Sequence, residues 1–160
     1  MKISWHTHGL RIMATGLLAT ASFACHASLG HAPTFFPDTA SSQAVRARAL
    51  AAGSATATNY NVNTTTLTSG TTVREYVGSD GTVFAVTWNG PFIPDLRTLL
   101  GDQFQTLTSE AARRPMAGRS QLYIDRADVS IESTGHMRAY AGRAWIKAKL
   151  PAGFNAQDIQ

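Results

Sequence analysis

Seven residues near the middle of the chain, Thr82-Val83-Phe84-Ala85-Val86-Thr87-Trp88, restrict the fold more than any other stretch. A strand sends successive side chains to opposite faces, which puts Phe84, Val86 and Trp88 on one side and Val83 and Ala85 on the other. Both sets are apolar. A strand with one solvated face would alternate apolar with polar residues, so this one is expected to run through the middle of a sheet and to be covered on both sides.

The flanking sequence reads as hairpins. Residues 60–67 are Thr-rich and β-branched, Thr68-Ser69-Gly70 is a turn signal, and residues 72–77 form the next strand candidate. Ser79-Asp80-Gly81 suits a hairpin loop because Asp and Gly tolerate positive φ. After the central strand, Asn89-Gly90-Pro91 stops the β pattern and Pro94-Asp95 opens a helix, with Pro at a first-turn position and Asp complementing the dipole. Leu96, Leu99, Leu100, Phe104 and Leu107 then form one apolar helical stripe, with Arg113 and Arg114 at its end and Pro115 as its stop. Gly101 inside it costs about 1 kcal/mol relative to Ala and is read as a point of close packing on the sheet. Strand texture returns at residues 122–124 and 129–131. Ser133-Thr134-Gly135 is expected to turn, and residues 137–150 are expected to run as one long strand with a bulge at Gly142. The expected fold is α+β: an antiparallel sheet of hairpins with one long helix packed across it.

The N-terminus reads as a secretory signal peptide. A basic opening with Lys2 and Arg11 and no acid precedes an apolar stretch over residues 12–24, too short for the roughly 20 residues a membrane-spanning helix needs. Cys25-His26-Ala27 places small residues for cleavage before Ser28. Ser22-Phe23-Ala24 offers a second exit that would leave Cys25 first, as in a lipoprotein, but Ser22 and Phe23 stand where lipidation sites carry Leu and a small residue. The expected organisation is a signal peptide at 1–27, an arm at 28–58, one α+β domain at 59–153 and a tail at 154–160. Within the arm a short helix is expected at 42–52, Ser-capped and ended by Gly53, while Leu29, Phe35 and Phe36 dock on the body. Cys25 is the only cysteine, so cleavage after Ala27 leaves no thiol or disulfide. The twelve basic and ten acidic residues that remain give a net charge of +2, which does not call for a nucleic-acid partner.

Several segments together resemble a known family. Thr65-Thr66-Leu67, Ser69-Gly70, Val73-Arg74-Glu75-Tyr76-Val77, Asp80-Gly81, Val83-Phe84-Ala85-Val86, Trp88, Gly90-Pro91 and Pro94-Asp95-Leu96-Arg97 are similar to an exported proteobacterial, Burkholderia-type family, domain of unknown function 2844. Ala27-Ser28-Leu29-Gly30 and Gly142-Arg143-Ala144-Trp145 fit it more loosely. The resemblance implies an exported bacterial protein of one domain and carries no catalytic residue with it.

Chemistry-bearing patterns are sparse. His31 and His136 are the only histidines beyond the leader, and no HxH or HExxH spacing, nucleophile elbow or phosphate loop occurs. No catalytic, metal-binding or cofactor-binding residues are therefore assigned, and no cofactor is expected. Asp125, Asp128 and Glu132 are near in sequence, yet Arg126 balances them and a turning backbone need not converge them. Two surfaces stand out. On the last strand Arg143, Trp145, Lys147 and Lys149 alternate with apolar Ala144, Ile146, Ala148 and Leu150, and a bulge at Gly142 would add Arg138 and Tyr140 to the cationic stripe. Such a stripe fits an anionic envelope polymer, with Trp145 stacking on a sugar, although cations on an outer strand also guard against edge aggregation. Phe92 and Ile93, between Pro91 and Pro94, form a candidate partner loop, with a plug over the core edge as the plainer reading. The expected function is a non-enzymatic envelope accessory or binding protein, periplasmic or secreted. A small envelope hydrolase, its site gathering His136 with two carboxylates, is the alternative.

Overall fold

The computed structural model describes residues 29–50, 57–113 and 121–160. The signal peptide expected at 1–27 with Cys25, the new N-terminus expected at Ser28, and the helix stop expected at Arg114-Pro115 lie outside the described residues. Seven strands, β1 (Thr39–Leu50), β2 (Ala57–Leu67), β3 (Thr72–Val77), β4 (Val83–Gly90), β5 (Gln121–Asp125), β6 (Val129–His136) and β7 (Ala139–Ile146), form one antiparallel sheet. Their order is β1-β2-β3-β4-β7-β6-β5. The first four strands meander. The chain then crosses to the far edge through two helices and returns inward until β7 closes on β4. The strand with two apolar faces is therefore the fourth of seven, with sheet on both sides of it.

The expected α+β fold with one long helix across the sheet is incorrect. The molecule is mostly sheet, and the helical stripe is divided into α1 (Leu96–Leu100) and α2 (Gln103–Arg113). Gly101 causes the break. It adopts φ 52°, where glycine is favoured, and its N–H caps α1 by donating to the Arg97 carbonyl. The apolar spacing still has its effect: Leu99, Leu100 and Leu107 are buried, with Leu96 and Phe104 packed beside them.

The helix expected at 42–52 is also incorrect, because residues 39–50 are strand β1, paired along its length with β2. The Ala-rich segment has helix propensity, but Val45, Ala47 and Ala49 also alternate with Arg46 and Arg48. A long β-branched partner in β2 decides between the two patterns, since strand preference depends on what lies alongside. The turn expected at Ser133-Thr134-Gly135 belongs to β6 instead, and the chain reverses at Met137-Arg138. Arg138 there has φ 62°. That conformation costs a residue with a Cβ about 1 kcal/mol or more, partly offset by the extra unfolded-state freedom of glycine. Arg138→Gly is expected to stabilise the fold by about 0.5 kcal/mol, read as a higher urea midpoint at unchanged slope; a lower midpoint would contradict this.

Two apolar layers flank the sheet. The larger contains Val73, Val83, Val86, Trp88, Val129, Ile131 and Ala144 beneath the two helices, and Leu29 and Phe36 dock into it. The Leu29 and Gly30 amides donate to Leu99 and Val83 carbonyls, which ties the N-terminal segment to α1 and β4. Phe35 does not dock and remains 82% exposed. The smaller layer, on the opposite face, contains Tyr76, Phe84, Ala85 and Trp145. Phe84 and Ala85 share that face because the β3–β4 register shifts between Tyr76 and Val77, as a bulge requires. Strict alternation across 83–88 is thereby corrected. Residues 150–159 lie over this layer through Leu150, Phe154, Ala156 and Ile159, with the Phe154 ring centroid 5.0 Å from that of Phe84 and 5.2 Å from that of Tyr60.

Candidate binding site

The smaller layer covers only part of its face. Beyond it the strands present polar residues in register, and two rows cross four strands. One row is Thr72, Asn89, Ala141 and Thr134; the next is Arg74, Thr87, Arg143 and Glu132. These side chains share one face because strand periodicity repeats every two residues and the register runs unshifted from β4 to β6. Together with Ile159 and Gln160 they line an open groove of about 580 Å³.

One wall of the groove is the Gln160 backbone. Its backbone oxygen accepts hydrogen bonds from Arg74 Nη1 at 2.8 Å, Tyr76 Oη at 3.0 Å and Thr87 Oγ1 at 3.1 Å. Its N–H donates to Tyr76 Oη at 3.0 Å. On the other side Arg143 Nε donates to Glu132 Oε2 at 2.7 Å, and its guanidinium stands 5.5 Å from the Trp145 ring. Arg143 is thus paired with an acid, whereas Arg74 makes no ion pair with an Asp or Glu side chain among the described residues. An Arg keeps its charge at any ordinary pH and presents several donors, so Arg74 has capacity for an anion beyond its bond to Gln160. Thr72, Thr134 and Asn89 add hydroxyl and amide groups along the open side.

The cationic stripe expected on the last strand is not assembled as one surface. β7 ends at Ile146, and residues 147–149 form a 3-10 turn. Gly142 makes no bulge: it pairs in register with Trp88 and with Ser133. Tyr140 consequently falls on the opposite face from Arg143, and Arg138 sits in the hairpin turn. Trp145 is only 8% exposed, covered by the chain end. Lys147 Nζ pairs with Asp125 Oδ1 at 2.6 Å, and Lys149 Nζ donates to the Gly30 carbonyl at 3.1 Å. Lys147, followed by a hydrogen bond from Ser130, holds the Asp125 carboxyl below the usual range. Of the six residues, Arg143 alone lines the groove. Arg74, Thr87 and Asn89 were missed by the reading of the sequence, although Thr87 interrupting an apolar run was a signal.

The other candidate surface gains a residue. Phe92 and Ile93 are 58% and 54% exposed, and with Phe35 they line a cleft of about 250 Å³ at the start of β1. Among the described residues His136 is not gathered with Asp128 or Glu132. His136 and Asp128 flank opposite ends of β6, roughly 25 Å apart by strand rise, and Glu132 is engaged by Arg143. His31 Nε2 lies 3.4 Å from Asp102 Oδ2 on the surface. Among the described residues no group of three or more His, Cys, Asp or Glu could hold a metal ion, and no helix is long and apolar enough to cross a membrane.

Fold and groove together define a single-sheet antiparallel protein with one half-covered polar face. The family described as protein of unknown function (DUF2844) matches residues 25–159, and the chain belongs to that family. No curated protein and no solved structure matches the chain.

Proposed function

We propose that this is an exported, non-enzymatic binding protein of the proteobacterial envelope, periplasmic or secreted, that holds an anionic, hydroxyl-rich envelope polymer across its sheet. The observation that carries this reading is the groove, where Arg74 has no Asp or Glu side chain as partner among the described residues and faces a row of Thr and Asn side chains. Hydroxyls and amides both donate and accept, which suits a polyol, and an arginine suits carboxylate or phosphate groups. The groove is open and crosses strand after strand, a shape for a chain rather than for a small enclosed substrate. The basic leader with its short apolar run supports export.

Purified lipopolysaccharide and polygalacturonate are the probes, with neutral dextran for comparison. Binding to the anionic polymers is expected to weaken with salt and to fall about tenfold in Arg74→Gln and in Asn89→Asp, since charge-assisted bonds contribute roughly 1.5–3 kcal/mol. Lys147→Glu with Lys149→Glu should have little effect, because both lysines lie outside the groove. The opposite pattern would return the site to the outer cationic stripe, and equal binding of dextran would end the anionic reading.

A further inference from the structure

A second surface carries an inference independent of the groove. Phe35, Phe92 and Ile93 come from two separate loops, yet line one cleft with Pro37, Leu67 and Pro94. All three large side chains are more than half exposed. Exposed large side chains grouped in this way mark interaction sites more often than isolated ones do. At about 250 Å³ the cleft is smaller than the roughly 300–1,000 Å³ of pockets that enclose small molecules, and it suits inserted side chains.

Its loop is held before any partner arrives. Thr71 Oγ1 donates to the Phe92 carbonyl at 2.7 Å and accepts from the Phe92 N–H at 3.3 Å. Pro91 and Pro94 restrict the backbone on either side. A Cβ on Gly90 would lie 2.5 Å from Thr71 Cα, so the loop and the β2–β3 turn are pressed together. Ordering such a loop on binding costs little. The charge of the cleft runs against the rest of the molecule. Its charged lining residues are Asp38 and Asp95, with no base among them, on a chain whose net charge is positive. The Asp95 carboxyl is held below its usual range, chiefly by the Thr98 hydroxyl, so it stays ionised under mildly acidic conditions.

We infer that the Phe35–Phe92–Ile93 cleft docks an extended segment of a partner protein, an apolar or aromatic side chain entering between the rings and a nearby Lys or Arg meeting Asp38 and Asp95. Apolar anchoring inside a charged rim gives affinity at the centre and selection at the edge.

Random short peptides displayed on phage and selected on the full chain test this. Enriched sequences are expected to place Phe, Trp or Leu within a few residues of Lys or Arg. The corresponding synthetic peptides should lose about tenfold or more in affinity for Phe92→Ser with Ile93→Ser, and severalfold for Asp38→Lys. Phe35→Ser keeps the test valid should the loop double variant fold poorly, because that side chain stands almost wholly in solvent. Enrichment of acidic or charge-indifferent sequences, binding unaffected by these variants, or no enrichment at all would overturn the inference. So would sedimentation showing self-association that Phe35→Ser abolishes, which would make a second copy of the chain the occupant.

Discussion

Gly142→Ala is expected to destabilise the protein by about 3 kcal/mol, a drop in melting temperature of roughly 10 °C for a domain of this size. A Cβ at position 142 would lie 2.1 Å from Trp88 Cζ2, 2.5 Å from Trp88 Cε2 and 2.6 Å from the Glu132 carbonyl oxygen. The indole cannot retreat easily. Trp88 is 2% exposed, on the central strand, under the helices. Glycine at 142 therefore provides the volume that the indole of the neighbouring strand occupies, as cross-strand aromatics over glycine do. The added methyl must displace either the ring or the β6 backbone. Chemical denaturation of the single variants and of Trp88→Leu combined with Gly142→Ala forms a double-mutant cycle. The pair is expected to be less destabilised than the sum of its members. Strict additivity would show that the indole is not what excludes the methyl.

Glu75→Gln is expected to stabilise the protein by about 2 kcal/mol near neutral pH and to have little effect in acid. Glu75 is 2% exposed and lies on the larger apolar face between Val73 and Val77. Its Oε1 accepts from the Thr34 N–H at 2.9 Å, and no salt bridge reaches it among the described residues. Burial pushes its pKa up, more than the hydrogen bonds from Thr34 pull it down. A carboxyl with a raised folded-state pKa binds its proton more tightly folded than unfolded. Stability is then greatest below the unfolded pKa and falls as pH rises from that value through the folded one. Glutamine keeps the acceptor for Thr34 and removes the charge, so the variant should lose this fall. Urea unfolding between pH 4 and pH 8 reads the difference: the curves should converge in acid and separate as pH rises. A gap of constant size would assign the effect to packing rather than to ionisation.

Much of the β structure could be read locally. Val83–Trp88 with apolar side chains on both faces is legible as a central strand, and Gly70 and Gly81 adopt the positive φ their turns require. The apolar helical stripe was legible as a buried face, but its division was not. Gly101 could close one helix or pack within a longer one, and the same residue type serves both roles. The groove was legible only in part. Arg143 stood out in its strand, whereas Arg74 and Asn89 are remote in sequence and meet it only through strand pairing across β3, β4 and β7.

The sequence alone determines alternation, turn chemistry and burial tendency, because these depend on a residue and its near neighbours. It marks 82–88 as doubly covered and 96–107 as an apolar helical face wherever the chain places them. Tertiary structure decided what depends on remote partners. It made residues 39–50 a strand, because β2 offers hydrogen bonds along the whole length. It made Gly142 the seat of an indole rather than a bulge, because Trp88 lies directly opposite. It also broke the cationic stripe, because the chain end covers Trp145 and the strand stops at Ile146. In each case more than one local conformation was open to the residues, and contacts far along the chain selected the one observed.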